Sequence, residues 1–214
     1  MKRLMPIFIV ILLSGCGILT AYAPNMLSMI VVAVMGVVVL LGIIYGLIPV
    51  LTFTQGLLTG QKSIQRASEA EEKSVWITAL QMDRFFRQKK MDQLFREYRD
   101  KVKQQRQNGQ IVSDLEDILN EDVLALYSWQ GVVAQIPGTL TGLGILGTFI
   151  GLLRGLRNIN FVTVEAALSS VQSILTGIDT AFYTSIAGVI LSILFNISNN
   201  ILRNTMDREM GIFL

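Results

Sequence analysis

Between Gln135 and Arg154 the chain reads Gln-Ile-Pro-Gly-Thr-Leu-Thr-Gly-Leu-Gly-Ile-Leu-Gly-Thr-Phe-Ile-Gly-Leu-Leu-Arg, long and apolar enough to cross a bilayer yet rich in glycine and threonine. Lipid does not ask for that composition, because glycine costs roughly 1 kcal/mol against alanine in a helix interior. On an α-helix Thr141, Gly144, Thr148, Gly151 and Gly155 follow at alternating spacings of three and four and form one stripe. Such a stripe faces protein or water, and two readings stay open. Small residues let membrane helices approach closely, which makes a packing seam. Alternatively, the Thr148 hydroxyl, flanked by glycine, lines a polar path.

Of the 214 residues 51% are hydrophobic and only 16% charged, and the charges are bunched. This is the profile of a polytopic membrane protein with one polar insert. Histidine is absent and Cys16 is the single cysteine, so histidine catalysis, Cys/His zinc sites and an intrachain disulfide are excluded by counting. The 18 basic and 16 acidic residues nearly balance, and the basic residues between Lys62 and Arg106 are interleaved with Glu and Asp. No nucleic-acid binding is expected of this segment.

The expected fold is all-α, with four transmembrane helices and a cytoplasmic helical insert between the second and third. Lys2-Arg3 and the apolar run that follows resemble a secretory signal, and Leu13-Ser-Gly-Cys16 matches a short lipobox. Residues 1–22 are read instead as a retained first span, with Cys16 a small packing residue. Ala23-Pro24-Asn25 makes a turn, and residues 26–51 form the second span, with Pro49 predicting a kink or exit near its end. Residues 61–130 form the insert, which opens from Gln61 to about Arg106 as a long amphipathic helix, continuous or broken in the seventies or eighties, carrying Trp76, Leu80, Phe86, Leu94, Phe95, Tyr98 and Val102 at roughly helical intervals. That stripe is expected to pack on a neighbouring helix or subunit. Asn108-Gly109 stops the helix, and Ser113-Asp-Leu-Glu116 is a capping-box signal for the next. The third span covers 132–156. The fourth covers 171–200, with no strong breaker beyond either end, and 201–214 form a cytoplasmic C-terminal extension.

Of the 18 basic residues only Arg154 and Arg157 fall on the side opposite the insert and both termini. The positive-inside rule therefore makes the insert and both termini cytoplasmic, in a multi-pass protein of the bacterial inner membrane. Arg154 and Arg157 are expected at the outer headgroup level, where long side chains snorkel.

The fourth span repeats the pattern of the third. Ala181, Ser185, Gly188, Ser192 and Asn196 share one face, and Ser173, Gly177, Thr180 and Thr184 continue an adjacent one. Asp179 is the only acid near a span, and no GxSxG elbow, HExxH helix or Walker A loop occurs, so no enzyme is expected and no catalytic or metal-ligating residue is assigned. Asp179 has two readings, a functional membrane acid or a carboxylate at the outer interface near Arg154 or Arg157.

An ion path needs a carboxylate, and these faces offer only hydroxyls, so the missing acid points to a second protein. A partner helix bearing Asp fits surfaces of this kind, and a symmetric homo-oligomer is a natural way to surround it. The expected partner-packing residues are Pro137, Thr141, Gly144, Gly151, Gly155, Gly177, Thr180, Ala181 and Gly188. Thr148, Ser185 and Thr184 are expected to line the ion path.

Pro137 opening the third span, Gly144-Ile-Leu-Gly-Thr-Phe-Ile-Gly-Leu152 within it and Gly177-Ile-Asp-Thr-Ala-Phe-Tyr-Thr-Ser-Ile-Ala-Gly188 in the fourth together resemble the MotA/TolQ/ExbB proton-channel family over residues 130–200. The resemblance implies a homopentamer around a dimeric, single-span MotB/ExbD/ZorB-like partner, whose transmembrane aspartate carries H⁺, with Na⁺ the alternative, and no cofactor. It implies that Thr148 and Ser185 are the third-span and fourth-span hydroxyls facing that aspartate, and that ion flow rotates the pentamer. Where ExbB-like members carry a glutamate, this chain has Thr180, with Asp179 one position earlier and about 100° round the helix.

The four-span layout resembles the MotA branch. The Ile-Pro-Gly-Thr and Gly-Ile-Leu-Gly-Thr-Phe-Ile-Gly-Leu forms most resemble the ZorA motor subunits of Zorya anti-phage systems, which implies a role in antiviral defence. ZorA members continue into a long cytoplasmic tail, whereas this sequence ends at Leu214, and its apolar ending Gly211-Ile-Phe-Leu favours a truncated tail. A flagellar stator, a TolQ/ExbB-like envelope energy transducer and a non-conducting membrane scaffold stay open as alternatives. A solute transporter is disfavoured, because no inverted repeat and no midplane substrate-binding charge is visible.

Overall fold

The computed structural model describes residues 5–69, 86, 88–109, 111, 128–157, 159 and 162–213. Among them every regular element is helical: α1 (Met5–Ala21), α2 (Met26–Gly42), a π-helical turn (Ile43–Leu47), α3 (Ile48–Glu69), α4 (Lys89–Gln107), α5 (Gln130–Val133), α6 (Ile136–Leu156) and α7 (Val164–Phe213). Three helical runs, Met26–Lys62, Gln130–Leu156 and Val164–Ile212, are long and apolar enough to cross a membrane. The expected first span appears as the shorter apolar helix Pro6–Ala21, below the ~20 residues that a ~30 Å hydrocarbon core requires. Among the described residues the protein is therefore all-helical, with three candidate membrane spans and one shorter apolar helix.

The boundaries have local causes. Asn25, extended at φ −153° and ψ 167°, caps α2, its side-chain oxygen accepting from the Ser28 N–H at 2.9 Å. In place of the kink or exit that Pro49 predicts, the helix widens into the π turn just before it and continues as α3. Proline has no N–H to offer the carbonyl of Tyr45, four residues back, and its ring crowds that carbonyl. A π turn at Ile43–Leu47 absorbs the mismatch without ending the helix. Pro137 sits in the first turn of α6, where a missing N–H costs nothing. The 50-residue α7, about 75 Å long at the usual rise, extends past both predicted ends of the fourth span.

Two compact units are present: Met1–Tyr45 with Gly131–Asn200, and Gly46–Gln130 with Ile201–Leu214. In the first unit α1 packs on α2 and α2 on α6, around a core that includes Leu12, Val32, Met35, Val39, Leu140, Leu191 and Phe195. At Gly42 α2 packs tightly on its neighbours. A β-carbon placed there would lie 2.6 Å from both the Ile136 side chain and the Phe195 ring.

In the second unit the α4 face of Met91, Asp92, Leu94 and Phe95 is buried. Phe86 meets Phe95 edge to face with centroids 5.7 Å apart, and Asp92 accepts from the Phe86 N–H at 2.8 Å. Helix α4 gives way at Asn108 to Gly109, whose φ of +63° is the left-handed conformation that ends helices. Trp76, Leu80 and the capping box at Ser113 to Glu116 lie outside the described residues. Beyond residue 200, Leu202, Met206 and Met210 form a buried stripe at spacings of four, and Gln61 donates to the Glu209 carbonyl at 3.3 Å.

Candidate functional site: the glycine and hydroxyl seam between α6 and α7

Helices α6 and α7 lie antiparallel, and glycine on each admits the backbone of the other. A β-carbon on Gly177 would stand 2.6 Å from the Gly151 carbonyl oxygen and 2.7 Å from the Gly155 Cα. One on Gly188 would stand 2.7 Å from the Leu140 carbonyl oxygen and 3.0 Å from the Gly144 Cα. Gly147 receives the Thr184 side chain, whose hydroxyl would be 2.5 Å from any added carbon. Contacts this short exclude every side chain larger than hydrogen unless the helices separate.

Hydroxyls complete the seam. Thr148 Oγ1 lies 3.2 Å from the Ala181 carbonyl on α7 and 3.1 Å from the Gly144 carbonyl on its own helix, and its one hydrogen serves either. Ser192 donates across to the Pro137 carbonyl at 2.9 Å, which also accepts from Thr141 at 3.1 Å. Thr184, fully buried, donates to the Thr180 and Ala181 carbonyls of α7 itself at 3.0 and 3.2 Å. Hydroxyl-to-carbonyl bonds of this kind let a threonine sit in an apolar helix without stranding its polar group.

The predicted site residues thus divide. Gly144, Gly151, Gly155, Gly177, Thr180, Ala181 and Gly188, expected to meet a partner helix, are buried and turned on one another within one chain. Pro137 and Thr141, half-buried, tie the start of α6. Thr184, expected on the ion path, lies inside the seam under Gly147. Thr148 and Ser185 lie along its less buried edge: Thr148 reaches the carbonyl four residues before Ser185, and Gly144, one turn from Thr148, abuts the Ser185 backbone. Both are half-buried, and the Ser185 hydroxyl makes no hydrogen bond among the described residues. Asp179 is exposed on α7 and forms no ion pair among the described residues.

Sequence reasoning misses three contributors. Gly147 lies inside the quoted motif, off the stripe that counts threonine and glycine alternately. Asn25 reads in sequence only as a turn residue, yet its amide donates to Thr180 Oγ1 at 2.5 Å while its oxygen caps α2. Tyr183 donates its hydroxyl to the Leu19 carbonyl of α1. No local periodicity signals either long-range bond.

Asn25→Ala removes the cap and the tie to α7 together and is expected to destabilise the chain by about 1–3 kcal/mol. Asn25→Asp keeps the cap but loses the donor, so thermal unfolding in detergent should fall between wild type and Asn25→Ala. Wild-type stability in Asn25→Asp would mean the Thr180 bond contributes nothing.

Described residues that are helical throughout their regular elements, with three candidate spans and two of them joined by a glycine and hydroxyl seam, define a polytopic membrane protein of the helix-packing type. The family described as "Anti-phage protein ZorA, Zorya type I system" matches residues 12–204, and the chain belongs to that family. Over 60 residues, 28% of this chain, it is 47% identical to a Zorya protein ZorA from the Crooks strain of Escherichia coli and 43% identical to another from an O139 serotype strain. Those matches cover 10% and 8% of the relatives, so the chain spans only a small part of the length of the curated proteins it matches.

Proposed function

We propose that this chain is the ion-conducting part of a subunit in a rotary motor driven by the ion-motive force, serving anti-phage defence. The observation that carries the reading is that Thr148 and Ser185 stay half-buried along a seam otherwise closed by glycine, with Thr148 Oγ1 3.2 Å from the Ala181 carbonyl, one turn before Ser185. Family membership supports the defence role, and the motif resemblance to MotA/TolQ/ExbB supports the motor.

In this reading five copies surround two single-span partner chains in the bacterial inner membrane, with both termini and the insert cytoplasmic. A partner aspartate passes the rim. When protonated, its O–H donates to a hydroxyl oxygen; when ionised, it accepts from the Ser185 O–H. Isolated, an ionised carboxylate is very costly to bury. Proton transfer at this point therefore decides when the partner helix can move past apolar surface. Each charge crossing 100 mV supplies ~2.3 kcal/mol, and several together suffice to shift packed helices. The chain itself carries out no chemistry on a substrate and needs no cofactor; H⁺ is the transported ion, with Na⁺ the alternative.

The close α6–α7 packing brings the partner to the rim of the seam, and the seam itself keeps the two helices rigid. Expressing the full-length family protein with its single-span partner, and following cytoplasmic pH with a ratiometric fluorescent protein, tests the reading. Acidification should require the partner's transmembrane carboxylate. A complex that leaves pH and Na⁺ unchanged under all conditions, including phage challenge, would sink it in favour of a scaffold.

A further inference from the structure

We propose that the cleft between the α1–α2 turn and the adjoining ends of α6 and α7 binds the phosphate of a membrane phospholipid headgroup, held by Arg154, Gln172 and Ser173. The cleft encloses about 630 Å³, and Asn25, Met26 and Leu27 form its wall on the α2 side. Its donors are unevenly committed. Asn25 is engaged with Ser28 and Thr180, and Thr176 donates to the Gln172 carbonyl. The side chains of Arg154, Gln172 and Ser173 make no hydrogen bond or ion pair among the described residues, yet all three line this one cleft. Among the described residues no carboxylate lines it.

A cleft whose described lining offers a cation and spare N–H and O–H donors but no carboxylate selects an anion. A guanidinium fork matches the paired oxygens of a phosphate. Arg154 stands in the last turn of α6, where a cation complements the helix dipole. That accounts for the charge but not for Gln172 and Ser173 beside it. The lipid source follows from position, because the cleft lies at the end of the candidate span Gln130–Leu156, where headgroups are. Met26 and Leu27 supply an apolar flank that a glycerol backbone covers and free phosphate does not.

The test is native mass spectrometry of the full chain in detergent, titrated with palmitoyl-oleoyl phosphatidylglycerol, with diacylglycerol and inorganic phosphate in parallel. Wild type should bind one phospholipid per chain. Arg154→Gln should weaken it by roughly tenfold or more, the Gln172→Ala/Ser173→Ala pair severalfold, and Arg157→Gln, which alters a neighbour outside the cleft, not at all. Should Arg154→Gln lose helicity, Arg154→Lys carries the comparison and should weaken binding severalfold. Unchanged affinity in the Arg154 variants, equal weakening by Arg157→Gln, equal binding of diacylglycerol, or full competition by inorganic phosphate at headgroup concentration would each overturn the proposal.

Discussion

Replacing Thr148 and Ser185 together by alanine is expected to abolish ion-driven function, with cytoplasmic acidification and phage protection each falling by roughly a hundredfold or more. Two hydroxyls that each exchange a hydrogen bond with a carboxylate are lost, and each such charge-assisted bond is worth about 1.5–3 kcal/mol. Thr148→Val separates path from packing, because it keeps the volume beside Gly144 and removes only the hydroxyl. In wild type that hydroxyl is within 3.2 Å of the Ala181 carbonyl, so a purely structural role predicts a modest drop in thermal stability with normal flux. The ion-path role predicts lost flux in Thr148→Val and recovery in Thr148→Ser, at equal amounts of assembled protein. Wild-type acidification by the double alanine variant would remove both residues from the path.

Gly177→Ala is expected to be the most damaging single-methyl change in the seam. The added carbon would press on the Gly151 carbonyl at 2.6 Å and the Gly155 Cα at 2.7 Å. Both are backbone atoms and cannot swing aside as a side-chain end can. Overpacking of this kind costs about 1–3 kcal/mol or forces the helices apart. The contrast is Gly142→Ala on α6, where nothing lies within 4 Å of the added carbon. There alanine should stabilise by up to about 1 kcal/mol through helix propensity alone. Unfolding midpoints in one detergent should therefore move in opposite directions. An unchanged midpoint for Gly177→Ala would mean that α6 and α7 do not approach as closely as their backbones indicate. Gly177 lies two turns from Ser185, so its effect should fall on the amount of folded protein, not on flux per assembled complex.

The small-residue faces of α6 and α7 were legible because glycine and threonine gain nothing from lipid, so their recurrence in a lipid-crossing run marks a face turned to protein or water, and helical spacing alone set them on one side. Legible too were the Pro137 start of α6, the Gly109 stop of α4 and the uninterrupted length of α7, each written in a local backbone preference. What periodicity does not carry is which neighbour a face meets. The stripe expected for a second protein is in large part filled by the other helix of the same chain, since Gly151 and Gly155 fit against Gly177, and Gly144 against Gly188. Thr184 and Ser185 are adjacent in sequence, yet one is sealed beneath Gly147 and the other stays at the rim. The 100° between neighbouring helical residues makes that difference, and only the position of α6 fixes which of the two is enclosed.

The sequence by itself determined that this chain is helical, lies in a membrane and bears two small, polar helix faces, because backbone propensity and burial in lipid act on each segment alone. The tertiary structure decided that those faces close on each other and leave Thr148 and Ser185 at the edge. It also tied α7 to the first two helices through Asn25 and Tyr183. Such contacts join residues more than 150 positions apart, and their partners exist only once the helices have packed.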